Sequence, residues 1–486
     1  MSTRNVLGID MGASHGRAVV GHFDGSNLAL KALHEFDNEP VFLNTGYHWD
    51  TLRLFHEIKR SIAKSASLKI DSVGIDTWGV DFGLIDPNGY LLENPHHYRD
   101  PRTESIPEKV YEKLSHAGIF AQTGMHPSPI TSLFQLVALS HHQENLLNAA
   151  ETLLFTPDLF RFLLTGEKSS ESTIAATSLL FDPKETKWIP GFLAAFGIPD
   201  ILPELGPSGQ IIGTLTDRIA DELGVTKIPV SRIAGHDSAS AILTVPSSAE
   251  NVAYVSCGTW SIVGANEERF ITDDKALEQR FNNEMGYDGT NMFVKNITGL
   301  WVLQECIADW QREGIAIDYD QMNQAIPTVK HNTYINLDLK EFGKPGNMIG
   351  KIRAYAKRTN QRVPDTRPEI YKTIWLSLAL KYKQTIDELE ALTHRAYTAI
   401  HIIGGGARSD YLSQLTADLT GKQVISGPYE ATVIGNIVVQ LIALGELKSL
   451  KEAKELVRES FTIKTFLPNP NPELDALYES YIETYE

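Results

Sequence analysis

The chain is poor in three features, each of which would point to a different class of protein. Cys257 and Cys306 are its only cysteines among 486 residues, which excludes a disulfide-stapled scaffold and fits a reducing compartment. It has no block of lysines or arginines and a net charge of −17, so we expect neither nucleic acid nor an anionic membrane as a partner. The apolar run at 437–444 is too short to span a bilayer.

The sequence predicts neither a signal peptide nor a low-complexity linker. Asp10 interrupts the apolar stretch near the N-terminus, so we expect no signal peptide and a cytoplasmic protein. The chain is too long for one hydrophobic core and is long enough for two. The small-residue stretch at 245–250 predicts the boundary, with domains at 1–245 and 246–486.

Strand and helix patterns alternate along both halves, as is typical of an α/β protein. Apolar residues recur at three- and four-residue spacing in the helix candidates and run continuously in the buried strands. The pattern predicts strands near 6–9, 18–20, 72–82, 229–233 and 399–403, and helices near 52–65 and 368–392.

Two glycine-containing segments, 8–17 and 255–261, have the pattern of strand, tight turn and strand, and one opens each half. Because glycine has no Cβ, such a turn can bring backbone N–H groups close to phosphate oxygens. Asp10 would act on a phosphate through Mg²⁺ and its waters. Either segment alone could be an ordinary hairpin, but the pair at corresponding places favours a nucleotide.

Glycines also follow a buried strand in the second half. Gly404, Gly405 and Gly406 would let the backbone approach a flat ligand, and 427–436 repeats the arrangement one strand later. The run lacks the spacing of a dinucleotide fingerprint, so a tight strand-to-helix turn is the alternative. Side by side, the two strand ends could line a slot for adenosine.

Asp237 is the candidate general base. It lies among small residues just after the strand-like 229–233, where a carboxylate could accept a proton from a substrate hydroxyl. The alternatives are a helix N-cap for Asp237 and a packing role for His236. The position between the two hairpin segments favours catalysis.

Taken in order, these segments resemble the FGGY carbohydrate kinases over nearly the whole chain. Within that family, 77–81 and 296–304 are most similar to the branch that acts on L-rhamnulose. The matching segments are 10–17, 74–81, 98–103, 235–237, 257–261, 404–406 and 427–432.

The resemblance implies a two-domain actin-like ATPase fold, ribonuclease-H-like in each half, with an interdomain cleft that closes on sugar and ATP. It implies transfer of phosphate from ATP, with Mg²⁺, to O1 of a ketose, with L-rhamnulose first and L-fuculose or another ketose or polyol as the alternative. The N-terminal domain would bind the sugar and the C-terminal domain ATP, in a monomer or homodimer. A regulatory ATPase of the same fold is a further alternative, but it would give Asp237 no task.

Residue by residue, the resemblance makes Asp237 the general base and Asp10 the residue that orients hydrated Mg²⁺. The implied ketose contacts are Gly79, His236, Ser238 and Asn296, and the implied ATP contacts are Ala13, Ser14, His15, Gly16, Arg17, Thr259, Gln304 and Gly405. Some positions depart from the branch pattern. His15, Cys257 and Ser238 leave backbone donors intact, whereas Thr131, Phe134 and Met285 differ on the sugar side and are expected to influence which sugar is used.

Overall fold

The computed structural model describes residues 3–245 and 251–485, so most of the predicted boundary at 245–250 lies outside the described residues. The described chain forms two compact units. The first contains 3–245, 267–293 and 431–460, and the second contains 251–266, 294–430 and 461–485. These units differ from the predicted halves 1–245 and 246–486, because two later segments fold with the first unit.

The helices and strands alternate along the chain, as the sequence predicts. The strands are β1 (Arg4–Met11), β2 (His15–Phe23), β3 (Leu28–Asp37), β4 (Pro40–Leu43), β5 (Gly46–Trp49), β6 (Ser72–Thr77), β7 (Phe82–Ile85), β8 (Thr152–Phe155), β9 (Ser170–Glu171), β10 (Phe181–Asp182), β11 (Lys187–Trp188), β12 (Leu205–Gly206), β13 (Gln210–Thr214), β14 (Pro229–Arg232), β15 (Val252–Cys257), β16 (Trp260–Glu267), β17 (Asn282–Met285), β18 (Asn291–Thr298), β19 (Ala399–Ile403), β20 (Gln423–Ser426) and β21 (Lys464–Phe466). The helices are α1 (Thr51–Lys64), α2 (Ile106–Tyr111), α3 (His116–Thr123), α4 (Ser132–His142), α5 (Glu144–Ala149), α6 (Thr156–Thr165), α7 (Ser172–Ala175), α8 (Pro190–Ala195), α9 (Asp217–Leu223), α10 (Asp237–Leu243), α11 (Asp274–Glu278), α12 (Trp301–Arg312), α13 (Tyr319–Ala325), α14 (Met348–Arg358), α15 (Arg367–Thr393), α16 (Asp410–Thr420), α17 (Ala431–Ala443), α18 (Leu450–Ser460) and α19 (Pro472–Tyr485).

The first unit contains a mixed sheet with strands in the order β13-β14-β6-β1-β2-β3. β1 pairs antiparallel with β2 and parallel with β6, and β6 pairs parallel with β14. The middle strands β1 and β6 are largely buried on both faces, so their non-polar residues are consecutive, at 6–9 and 73–75, rather than alternating. Helix α1 buries Leu54, Ile58 and Ile62 at four-residue spacing in the same core. The carboxyl ends of β1, β6 and β14 therefore lie along one edge of this sheet.

The predicted strand at 72–82 is two strands, β6 and β7, which the segment Trp78–Asp81 separates. Val80 has φ of 70°, a left-handed conformation that strains a β-branched residue. The buried carboxylate of Asp81 fixes the break, since it accepts hydrogen bonds from the indole N–H of Trp49 at 2.7 Å and of Trp78 at 2.9 Å. The sequence pattern does not contain this break.

The second unit has a sheet in the order β18-β16-β15-β19-β20-β21, in which β15 pairs antiparallel with β16 and parallel with β19. Helix α15, which confirms the predicted helix at 368–392, begins with a capping box between Thr366 and Glu369. It buries apolar residues along most of its length. In the part of the chain that the structure describes, no helix combines the length and apolar character needed to cross a membrane.

Candidate active site

The turn of the first hairpin is fixed by a buried amide side chain. Gly12 N donates to His15 O at 2.9 Å, which closes the tight turn predicted from the sequence. Asn38 Nδ2 donates to Gly12 O at 2.8 Å, and Asn38 N donates to Ser14 O at 3.1 Å. Ser14 and His15 are exposed, and Ala13 is half-buried. The turn therefore presents a rigid backbone edge to solvent, which suits an anion.

Gly16, next along this hairpin, is also required by packing. A Cβ at this position would lie 2.3 Å from the ring of Phe36. Gly16 is buried, so this packing accounts for the glycine and its contact with a nucleotide stays a prediction. The predicted role of Gly16 in nucleotide binding and a packing role for the same glycine are compatible.

Asp10 and Arg17 occupy paired positions on β1 and β2. Arg17 Nε and Nη2 both donate to Asp10 Oδ2, at 3.0 Å and 2.9 Å. The Asp10 side chain is 12% exposed, and carboxylate oxygen is a ligand type that Mg²⁺ prefers. Among residues 3–245 and 251–485 no group of three or more His, Cys, Asp or Glu could hold a metal ion. A carboxylate at the position of Asp10 would fit a hydrated Mg²⁺.

Asp237 is the first residue of α10, and His236 is its N-cap residue. The alternative of an N-cap role for Asp237 is therefore wrong. Ser238 Oγ donates to Asp237 Oδ1 at 3.1 Å. The side chain is 30% exposed, but protein surrounds its remaining faces. This burial, followed by the negative charge of Asp10, raises the pKa of Asp237 to about 7. A carboxylate with that pKa suits general base catalysis near neutral pH.

His236 lies between two carboxylates without forming a close ion pair. Its Nε2 is 3.5 Å from Asp237 Oδ1, and its Nδ1 is 3.9 Å from Glu284 Oε2. Burial lowers the pKa of His236, so the imidazole is neutral at neutral pH. A neutral ring can donate one hydrogen bond and accept another, which suits contact with sugar hydroxyls.

The loop at Gly79 lies beside the loop that carries Asp237. Thr77 N donates to Gly235 O at 2.9 Å, which joins the ends of β6 and the segment after β14. Thr177 braces the Gly79 loop: its Oγ1 accepts a hydrogen bond from Val80 N at 3.0 Å. The predicted sugar contacts Gly79, His236 and Ser238 thus come together with Asp10 and Asp237 at the carboxyl edge of the sheet.

In the second unit, the turn of the second hairpin contacts the start of α12. Gly258 N donates to Trp260 O at 2.9 Å and closes the turn. Leu300 N donates to Gly258 O at 2.8 Å, and Trp301 N donates to Thr259 O at 3.1 Å. Gln304 Nε2 donates to Thr259 Oγ1 at 3.3 Å. The structure therefore brings together two of the predicted ATP contacts, Thr259 and Gln304.

The triple glycine after β19 lies against the end of β15. A Cβ on Gly404 would lie 3.0 Å from Cys257 O, and one on Gly406 would lie 2.2 Å from Cys257 Sγ. Tyr382 Oη donates to the same Sγ at 3.1 Å, so Cys257 is enclosed. Gly405 is exposed in the second unit, where an added Cβ would lie 3.4 Å from Leu300 Cδ1, and Asn296 is exposed on β18 of that unit.

Asp76 belongs to this site and was not singled out in the sequence. It pairs in register with Asp10, it is completely buried, and its Oδ2 accepts a hydrogen bond from Asn436 Nδ2 at 2.6 Å. Burial, and then the charge of Asp10, raise the pKa of Asp76 well above its ordinary value. The available signal was an acidic residue directly after the non-polar residues 73–75 of this buried strand.

These features fit a phosphoryl-transfer enzyme, and comparison with known proteins identifies the family. The sequence profile of the N-terminal domain of the FGGY family of carbohydrate kinases matches residues 5–244, and that of the C-terminal domain matches residues 253–444. The chain belongs to the FGGY family of carbohydrate kinases, and is an ATP-dependent sugar phosphotransferase.

Its relatives include a rhamnulokinase of Bacteroides thetaiotaomicron, 35% identical over 483 residues, with 98% of each chain covered. A rhamnulokinase of Bacillus subtilis is 36% identical over 464 residues, covering 95% of this chain and 94% of that one. Among solved structures, xylulose kinase from Rhodospirillum rubrum superposes with a TM-score of 0.80 at 15% identity, covering 99% of this chain and 98% of that chain. Plasmodium falciparum glycerol kinase with ADP gives 0.79 at 15% identity, with the same coverage of both chains. These structures confirm the predicted two-domain actin-like fold.

Proposed function

We propose that this kinase transfers the γ-phosphoryl group of ATP to O1 of L-rhamnulose. The observation that carries the choice of sugar is the full-length similarity to rhamnulokinases, at 35% and 36% identity. In the proposed reaction the O1–H proton passes to Asp237 while the O1–P bond forms. The bond between the γ-phosphorus and the β–γ bridging oxygen breaks, and ADP leaves.

The proposed residue roles are those that the family resemblance implies, and the arrangement within each unit supports them. Asp237 is the base, and Asp10 orients hydrated Mg²⁺, which when bound neutralises phosphate charge. Phosphoryl transfer depends mainly on positioning and electrostatic stabilisation, which rigid glycine turns can supply through backbone N–H groups. The proposed ketose contacts are Gly79, His236, Ser238 and Asn296, and the proposed ATP contacts are Ala13, Ser14, His15, Gly16, Arg17, Thr259, Gln304 and Gly405.

In this proposal 1–245 serves as the sugar-binding domain and 246–486 as the ATP-binding domain. Both cysteines are free and buried, which supports a reducing compartment, and we place the enzyme in the cytoplasm. The active form would be a monomer or a homodimer, and light scattering on the purified protein distinguishes these two states.

The test is a coupled assay of ADP release with L-rhamnulose, L-fuculose, L-ribulose, D-xylulose and glycerol. The proposal expects the highest kcat/KM for L-rhamnulose. A higher value for another sugar would assign the enzyme to that substrate and keep the chemistry. ATP hydrolysis that none of these compounds accelerates would contradict the proposed sugars and favour the alternative of a regulatory ATPase.

A further inference from the structure

One buried carboxylate, that of Glu171, holds the backbone just before Asp237. Gly235 N donates to Glu171 Oε2 at 2.9 Å. The Glu171 side chain has no solvent exposure. The loop that ends in the proposed general base is therefore tied to an acceptor in the interior of the first unit.

Thr173 provides a second connection to the same loop. Its Oγ1 donates to Glu171 Oε2 at 2.5 Å and accepts a hydrogen bond from His236 N at 3.1 Å. The consecutive amides of Gly235 and His236 are thus held by one carboxylate oxygen, the first directly and the second through the hydroxyl. Asp237 follows immediately.

Glu171 is itself fixed on its other sides. Its Oε1 accepts from Thr173 N at 2.9 Å and from Ser208 Oγ at 2.5 Å, and Ile174 N reaches Oε2 at 3.2 Å. A carboxylate accepts hydrogen bonds at both oxygens and therefore satisfies all of these donors. A glutamine amide would instead place its own N–H groups against the donors on one side. The Gly235 and His236 amides are therefore held by a carboxylate that is itself fixed by hydrogen bonds at both oxygens.

On the basis of the proposed function, we propose that Glu171 and Thr173 are positioning residues that fix the Asp237 carboxylate for proton abstraction. Neither is assigned a contact with sugar or ATP. Displacement of a reacting group by about 1 Å can cost about 10²-fold in rate. Loss of this support should accordingly lower kcat while the KM for ATP, which depends on other elements, stays nearly constant.

The sharpest test compares Thr173→Val with Thr173→Ser. Valine has nearly the same shape but removes the hydroxyl, whereas serine keeps it. Ser170→Ala is the matched control, because Ser170 is equally buried and donates to Asp158 Oδ2 at 2.5 Å without touching 235–237. We expect kcat to fall about 10- to 100-fold in Thr173→Val and to stay within about threefold in the other two variants, at a constant KM for ATP.

The proposal would be overturned if Thr173→Val and Ser170→Ala lost equal amounts of kcat and of melting temperature. An unchanged kcat in Thr173→Val would overturn it as well. Amide hydrogen exchange of the peptide 233–238 provides a readout that does not depend on the sugar. It should quicken in Thr173→Val alone, and unchanged exchange also overturns the proposal. If Thr173→Val does not fold, Ser208→Ala replaces it, because Ser208 is only half-buried. We expect this variant to lose about two- to fivefold in kcat. A kcat equal to that of the parent would overturn the proposal.

The failure of the proposed function is distinguishable from the failure of this inference. The parent protein tests the function, since it must release ADP in the presence of a ketose. The variants test only the support of the loop, and do so with whichever sugar the parent phosphorylates.

Discussion

Asp10 and Asp76 occupy directly paired positions on the parallel strands β1 and β6, so the partly buried Asp10 has a completely buried acid beside it. Burial, and then the negative charge of Asp10, disfavour the ionised form of Asp76 and raise its pKa well above its ordinary value. The structure also places the Arg17 guanidinium against Asp10, with Nη2 donating to Oδ2 at 2.9 Å. Asp10 therefore lies between a cation, Arg17 on β2, and a buried acid, Asp76 on β6.

Replacement of Asp237 by asparagine tests the assigned chemistry. The amide keeps the size of the side chain and can still accept a hydrogen bond, but it cannot take the proton from O1. We expect kcat to fall by about 10²- to 10⁴-fold, with much smaller changes in the affinity for sugar and ATP. The measurement is sugar-dependent ADP release together with ligand titration of the variant. Turnover within a few fold of the parent would remove Asp237 from the mechanism.

The pH dependence of the reaction follows from the raised pKa of Asp237. The base must be deprotonated, so kcat/KM should rise with pH and level off above about 7. An Asp with its ordinary pKa would place this limb near pH 4, outside the usual range of the assay. The residual activity of Asp237→Asn serves as the control and should lack the limb. A parent profile that is flat from pH 5.5 to 8.5 would show that another group controls the reaction.

Gly258→Val tests the second hairpin as a phosphate-binding turn. The nearest atom to an added Cβ is Trp260 O at 3.6 Å, so the fold should accept the side chain. The valine would occupy space in front of the turn, and we expect the Kd for ATP to rise about tenfold or more. Gly343→Val is a matched control in the same unit, since its Cβ would lie 3.7 Å from Lys340 O. Equal nucleotide affinities in both variants would make the hairpin purely structural.

Gly435 allows helices α10 and α17 to cross closely within the first unit. A Cβ on Gly435 would lie 1.8 Å from Ser240 O, a distance that requires the backbone to move. We expect Gly435→Ala to lower the free energy of unfolding by about 3 kcal/mol or more. Gly191→Ala in α8 is the control, because no atom lies within 4 Å of its added Cβ. Denaturant unfolding of both variants makes the comparison, and equal stabilities would contradict the prediction.

Met285 was expected to influence the choice of sugar, and the structure changes that expectation. Its side chain is only 2% exposed and packs in the same hydrophobic core as Phe134, while Thr131 is also buried. We expect Met285→Gly to cost about 2–5 kcal/mol of stability and to leave the ranking of sugars by kcat/KM unchanged. A changed ranking at unchanged stability would restore the proposed role on the sugar side.

Local patterns in the sequence were sufficient to predict the main elements around the site. The hairpins at Gly12 and Gly258, helix α15 and strand β19 are confirmed, because each depends on turn glycines or on apolar spacing within a short segment. The placement of Asp237 after β14 followed from the same reasoning. Residue spacing within a short segment predicts these helices, strands and turns because their conformation depends mainly on neighbouring residues.

Contacts between distant segments were not predictable in this way. Asn436 reaches Asp76 from α17, and Glu171 reaches Gly235 from β9, and in both cases the partners are far apart in the chain. The conformation of Val80 also depends on distant side chains, including Thr177. No periodicity encodes such pairings, so the sequence could indicate the base but could not identify what holds it.

The two cysteines have a practical consequence. Cys257 and Cys306 are both buried, and burial raises the pKa of both thiols, so neither offers an accessible thiolate. A cysteine introduced at an exposed position would therefore be the one thiol that a maleimide dye labels rapidly. With one such cysteine in each compact unit, fluorescence resonance energy transfer between two dyes would report on domain movement. Cys257 and Cys306 would not need to be replaced.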